Sequence, residues 1–118
     1  MRIVCTIPLR LCSLANQREH WTVRMRRARA QRAAAYHATA LTLPHEPTRG
    51  LKPPLTIAIT RVGKRELDSD NLAISAKHVR DGIADALGID DGSELLAWCY
   101  AQEIGRDYAV RIEIEEKP

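Results

Sequence analysis

The sequence has few aromatic residues and few cysteines. It contains no phenylalanine, and aromatic residues make up 4% of its 118 positions. The three cysteines form no C-x-x-C pair and the four histidines show no H-x-x-x-H spacing, which argues against a disulfide framework and against a zinc site. No apolar run is long enough to cross a bilayer, and we recognise no secretory leader. We therefore expect a soluble, cytoplasmic protein without a membrane partner, formed by one domain over residues 1–118.

Basic residues are concentrated in two stretches, although the net charge is only +3. The first stretch lies in an arginine-rich segment and the second lies just before the first acidic cluster. The candidate DNA-binding residues in them are Arg18, Arg24, Arg26, Arg27, Arg29, Arg32, Arg61, Lys64 and Arg65. The alternative for the arginine-rich segment is a solvated helix face. The neighbouring acidic cluster favours phosphate contact, because a basic surface would hold a phosphate polymer over a metal site.

Alternating and helical patterns predict the element order β-α-β-α-β-β. The strands are predicted at residues 2–9, 55–60, 95–104 and 108–115, and the helices at about 20–41 and 71–87. A turn through Gly105-Arg106-Asp107 predicts that the last two strands form a β-hairpin. We expect an α+β fold in which a mixed sheet is flanked by two helices.

Apolar spacing predicts which side of each helix is buried. In the first helix Trp21, Met25 and Ala28 lie on one side, and the aromatic residues Trp21, Tyr36 and Trp98 are assigned to the core. In the second helix the predicted buried stripe is formed by Leu72, Ala76, Val79, Ile83, Ala86 and Leu87. The opposite side of that helix is then left for function.

Two acidic clusters bracket the second helix. Asp68-Ser69-Asp70-Asn71 stands at its start, and Asp90-Asp91 follows Gly88 at its end. Carboxylate oxygens are the ligands that Mg²⁺ and Mn²⁺ prefer, and a group of them repels itself unless a cation or proton neutralises it. One acid of the first cluster is accounted for as a helix cap, and Asp81 and Asp85 are interpreted as helix caps or solvent-exposed charges.

These motifs resemble the RusA-like Holliday junction resolvases, many of which are encoded by phages and prophages. The resemblance rests on the proline- and Ser/Asn-containing turn of residues 8–20, the basic first helix, and the stretches Leu67-Asp68-Ser69-Asp70-Asn71-Leu72 and Asp85-Ala86-Leu87-Gly88-Ile89-Asp90-Asp91. It implies a homodimeric endonuclease, dependent on Mg²⁺ with Mn²⁺ as a substitute, that cuts four-way DNA junctions symmetrically in recombination and repair.

The resemblance also implies roles for individual residues. Asp68 and Asp70 match the two acids of D-x-D-N, and Asp91 matches the second acid of the later pair, so these three would be catalytic metal ligands. Lys77 would add positive charge during catalysis, but it lies about one turn later than the lysine of the family pattern. Asp90 and Asn71 would support the ligands without binding the metal.

A straight helix over residues 71–87 would be about 25 Å long, which separates Asp70 from Asp91 within one chain. We therefore expect a dimer whose active sites are composite, each using Asp68 and Asp70 of one subunit and Asp91 of the other. Two alternatives stay open. One is a junction- or DNA-binding protein with little catalysis, and the other is a metal-dependent phosphotransferase or RNA-processing nuclease with the same carboxylates.

Overall fold

The computed structural model describes residues 2–12, 20–44 and 51–117. Their elements follow the order β1 (Arg2–Ile7), α1 (Trp21–Thr42), β2 (Leu55–Gly63), α2 (Ser69–Ser75), α3 (Lys77–Leu87), β3 (Leu96–Ile104) and β4 (Ala109–Glu116). The predicted α+β class and element order are confirmed, except that the second predicted helix is divided into α2 and α3. None of the described helices has both the length and the apolar character needed to cross a membrane.

The strands form one mixed sheet in the order β1-β4-β2-β3. The β2 strand is parallel to β3 and antiparallel to β4, and β4 is antiparallel to β1. Parallel neighbours need a long crossover connection, and α2 and α3 provide it between β2 and β3. The carboxylate clusters of the sequence therefore lie at the two ends of this crossover.

The predicted hairpin of the last two strands is wrong, because β4 does not pair with β3 in the sheet. Instead β4 lies between β1 and β2, where Ile112 is opposite both Cys5 and Ile59. The alternating residues Val110, Ile112 and Ile114 are almost completely buried. In this inner position β4 forms backbone hydrogen bonds with a strand on each side and buries its whole apolar face. An edge strand of a hairpin would have a hydrogen-bonded neighbour on one side only.

The helices cover one face of the sheet. The core joins Ile57, Ile59 and Ile112 of the sheet to Val79 and Ile83 of α3. Side chains alternate between the two faces of a strand, so the opposite face carries charged residues of β4. On that face Arg111 forms ion pairs with Glu103 and Glu113, and Arg2 pairs with Glu113.

The predicted burial of Trp21, and of Met25 on the same side of α1, is wrong. Trp21 is 58% exposed and Met25 is 43% exposed, whereas the buried residues of the helix are Gln31, Ala35 and Thr39. Small side chains let α1 approach α3, where the Cβ position of Gly82 meets the backbone of Arg32 and the side chain of Ala35. The apolar residues of the first two turns of α1 reach solvent. Of the aromatic residues assigned to the core, Tyr36 is also exposed and only Trp98 packs against the core.

The crossover helix is interrupted at Ala76, which has φ −92° and ψ 0°. The assumption of one straight helix over residues 71–87 is therefore wrong. The buried stripe is nevertheless confirmed in its first four positions, since Leu72, Ala76, Val79 and Ile83 are all buried. Ala86 and Leu87, at the end of α3, are only partly buried.

Candidate functional site

The D-x-D-N segment presents two exposed carboxylates at the start of α2. Asp68 occupies the N-cap position, but its side chain makes no capping hydrogen bond, and Asp70 lies in the first turn. Both residues are exposed, while Asn71 is half-buried. The capping role expected for one of these acids is therefore not filled by the Asp68 carboxylate, which leaves this carboxylate available to bind a cation.

The backbone just before the carboxylates is held by a side-chain amide. The Leu67 N–H donates to Gln102 Oε1 at 2.9 Å, and Gln102 Nε2 donates to the Leu67 carbonyl at 2.7 Å. On the other side of the acids, Leu72 is buried in the protein. The segment with Asp68 and Asp70 is thus fixed to β3 before it and anchored by a buried residue after it. No feature of the sequence had pointed to Gln102.

Asp91 has a different environment, because Arg80 binds it. Arg80 Nε lies 3.0 Å from Asp91 Oδ2, and Arg80 Nη2 donates to the Asp91 carbonyl at 3.0 Å. Trp98 Nε1 donates to the same carbonyl at 2.9 Å, and the Arg80 guanidinium lies 4.7 Å from the centre of the Trp98 ring. Arg80 also donates to the Tyr100 hydroxyl. The charge of Asp91 is therefore balanced within its own chain.

The three predicted metal ligands do not come together in one chain. In the described ranges no group of three or more His, Cys, Asp and Glu side chains is placed to hold a metal ion. Asp68 and Asp70 remain as an exposed pair, and Mg²⁺ is commonly held by one or two carboxylates, with water and phosphate oxygens completing its shell. The Asp68 and Asp70 carboxylates are donors of the kind that Mg²⁺ prefers, and within the described part of one chain Asp91 does not form a group of three ligands with them.

The other residues predicted to assist the site are engaged in local contacts. Lys77 begins α3, and its Nζ lies 3.3 Å from Asp81 Oδ2, four residues along the helix. Asp90 accepts the Gly92 N–H at 3.2 Å and so stabilises the turn after α3. The lysine is still largely solvent-exposed, so this ion pair is weak and could exchange for a phosphate contact.

The basic residues of α1 fall into two groups. Arg24, Arg26 and Arg29 are exposed along the first turns of the helix. Arg32 instead binds Asp85 through two hydrogen bonds of 2.6 and 2.9 Å, and this guanidinium lowers the pKa of the Asp85 carboxyl. Asp85 is exposed, as the sequence predicted, and it is also the ion-pair partner of Arg32.

The remaining basic residues have separate environments. Arg27 is half-buried, Lys64 and Arg65 are exposed, and Arg18 lies outside the described residues. Arg61 is only 4% exposed, so unlike the other basic residues it is not a surface cation, and its role as a DNA-binding residue stays a prediction. Its burial follows from its position in β2, an inner strand of the sheet.

Comparison of the chain with models of protein families, with curated proteins and with solved structures finds no match. The fold and the site therefore define the chain only as a small α+β protein with an exposed carboxylate pair next to basic residues. The resemblance to the junction resolvases depends on the motif residues alone, and it stays a prediction.

Proposed function

We propose that the protein is a Mg²⁺-dependent endonuclease that cuts four-way DNA junctions in recombination and repair. The observation that carries the proposal is the pair Asp68 and Asp70, which is exposed on a segment fixed to the sheet. Lys64 and Arg65 lie only a few residues before this pair. Negative ligands for a metal and positive groups for phosphates are therefore next to each other along the chain.

In this proposal Asp68 and Asp70 hold the metal, and the surface arginines bind the DNA backbone. When bound, Mg²⁺ neutralises charge on the phosphate and lowers the pKa of a bound water. Arg26 and Arg29 border one surface groove of α1 and Arg24 borders another, and all three are exposed, so they can contact phosphates on different sides of the helix, independently of base sequence. Junction binding should then weaken steeply with salt, as expected for recognition by backbone charge and shape.

A panel of substrates tests the proposal. The protein is incubated with a synthetic four-way junction, a linear duplex of matched sequence and a structured RNA, with Mg²⁺, Mn²⁺ or EDTA. We expect paired symmetric cuts in the junction alone, and only with a divalent metal. Cleavage of the RNA in preference to the junction would contradict the proposal and favour an RNA-processing enzyme.

A junction-binding protein without catalysis is the second candidate, and the contacts of Asp91 and Lys77 favour it. Asp91 is bound by Arg80 and Lys77 is close to Asp81, so two of the four groups predicted to be catalytic already have partners. Tight binding of the junction without cuts in either metal would support this candidate against the endonuclease.

The endonuclease proposal includes a homodimer with composite sites, because one chain does not bring Asp91 to the carboxylate pair. Mixing an Asp70→Asn chain with an Asp91→Asn chain should then produce heterodimers with one intact site. We expect these mixtures to nick the junction on one strand, although neither variant cuts alone. The measurement is strand-specific gel analysis after the two variants are unfolded and refolded together.

The matched control is each variant refolded with itself. If the mixture stays as inactive as both controls while size-exclusion chromatography shows that dimers have formed, the composite site is wrong. Sedimentation as a monomer would contradict it as well, since a single chain cannot then borrow Asp91 from a partner.

A further inference from the structure

A basic cavity of about 430 Å³ lies beside the segment that leads to the carboxylate pair. Its walls come from the residues after β1, the end of β2 with the following loop, and the residue just before β4. The lining residues are Arg10, Cys12, Arg61, Lys64, Arg65, Leu67 and Tyr108. Four of these side chains are cationic and none is acidic. This excess of positive charge favours the binding of an anion.

The most deeply buried of these cations is Arg61, which is only 4% exposed. Its Nε donates to the Leu11 carbonyl at 2.8 Å, and its Nη1 donates to the Arg65 carbonyl at 2.6 Å. These acceptors are neutral, and no carboxylate of the described residues forms an ion pair with Arg61. A buried charge without an opposite charge is unfavourable, so an anion in the cavity would stabilise it.

The Arg61 guanidinium packs against Gly63. A Cβ atom placed on Gly63 would lie only 2.7 Å from Arg61 Nη1 and 2.8 Å from its Cζ. The glycine thus leaves the space that the guanidinium fills, and the two backbone carbonyls hold it there. The buried cation is part of a formed cavity and does not depend on a mobile surface side chain.

Two further cations are gathered around Tyr108. The Arg10 guanidinium carbon lies 4.5 Å from the centre of the Tyr108 ring, and Lys64 Nζ lies 5.8 Å from it. Cation–π contacts of this kind orient a positive group without using its hydrogen-bond donors. Arg10 and Lys64 therefore keep donors for an anion while the ring holds them at the cavity.

We propose that this cavity binds a phosphate group of a nucleic-acid strand. Guanidinium groups match phosphate oxygens with paired, charge-assisted hydrogen bonds, and the cavity provides three of them together with a lysine. Leu67 lines the cavity and Asp68 follows it directly, with consecutive Cα atoms about 3.8 Å apart. A strand held here borders the segment of the carboxylate pair. The choice of nucleic acid as the source of the phosphate rests on the proposed function.

Phosphate binding can be measured without metal and without cleavage, so its outcome is separate from that of the nuclease test. The probes are inorganic phosphate, a trinucleotide with a 5′-phosphate and the same trinucleotide without it, titrated in low salt by calorimetry. The pocket variant is Arg10→Met with Lys64→Met. The control variant is Arg106→Met with Lys52→Met, which removes the same charge from exposed residues outside the cavity.

We expect the native protein to bind both trinucleotides, which carry the phosphodiesters of a strand, more tightly than inorganic phosphate. The pocket variant should lose about tenfold or more in affinity, since the loss of one charge-assisted hydrogen bond is enough for this factor. The control variant should keep native affinity, and circular dichroism should show that both variants are folded.

Three results would overturn the proposal. The first is that the native protein binds neither phosphate nor the phosphorylated trinucleotide at millimolar concentration. The second is that the pocket and control variants lose the same affinity, which would mean that only net charge matters. The third is that inorganic phosphate binds as well as the phosphorylated trinucleotide, which would exclude a nucleic-acid strand as the intended ligand.

Discussion

An Asp70→Asn variant should bind a four-way junction as the native protein does but cleave it at least about 10²-fold more slowly. The loss of one preorganised charge at a phosphoryl-transfer centre has effects of this size. Asp70 is exposed in the first turn of α2, and the amide has almost the same shape as the carboxylate. The substitution therefore removes only the favourable interaction of a negative charge with the helix N-terminus, which contributes less than about 1 kcal/mol to stability.

The control for this prediction is Glu94→Gln, which also replaces an exposed carboxylate by an amide. Glu94 lies in the turn before β3 and has no role in the proposed site. Single-turnover cleavage rates and junction affinities are measured for both variants with saturating Mg²⁺. Equal cleavage rates in Asp70→Asn and Glu94→Gln would show that Asp70 is not a catalytic residue, whatever the activity of the native protein.

Replacing Gly82 by alanine should destabilise the protein, although alanine is the better helix former. A Cβ on Gly82 would overlap the Arg32 carbonyl oxygen of α1 and would lie 2.9 Å from the Ala35 Cβ. These are backbone and short side-chain atoms, so α1 must move away from α3 to make room. Overpacking of this kind lowers the free energy of unfolding by about 3 kcal/mol. The higher helix propensity of alanine offsets about 1 kcal/mol of this loss.

The matched comparison is Gly88→Ala, at the end of the same helix. Gly88 has φ +69° and nothing within 4 Å of its Cβ position, so its substitution costs only backbone strain of about 1 kcal/mol. Urea unfolding of both variants measures the difference. If Gly82→Ala is as stable as the native protein, the close approach of the two helices is incorrect, because no side chain near Gly82 can move aside to accommodate the methyl group.

The contacts of Asp91 differ from those expected of a metal ligand. The resemblance to the junction resolvases implies that Asp91 is a metal ligand, but the chain surrounds its carboxylate and carbonyl with Arg80 and Trp98. Arg80 has no neighbour in sequence that would mark it as the partner of Asp91. A ligand role for Asp91 requires a second chain or a change of partner, and the mixing experiment distinguishes a composite site from a purely structural ion pair.

The sequence by itself determined which segments form helices and strands, because this depends on local spacing. The stripe Leu72, Ala76, Val79 and Ile83 repeats every three or four residues, and Val110, Ile112 and Ile114 alternate, so each element buries one face wherever it is placed. The position of Asp68 and Asp70 at the start of a helix was likewise predicted, because short oxygen-bearing side chains precede the apolar stripe. These features need no knowledge of distant residues.

Only the tertiary structure decided how the elements combine and which charged groups remain available. The position of β4 between β1 and β2 depends on burial of its face against both neighbours, and the exposure of Trp21 depends on where α1 passes α3. The burial of Arg61 and the pairing of Asp91 with Arg80 join residues of different elements. Interactions between segments far apart in the chain leave no local period in the sequence, and for that reason the basic cavity was visible only in the folded protein.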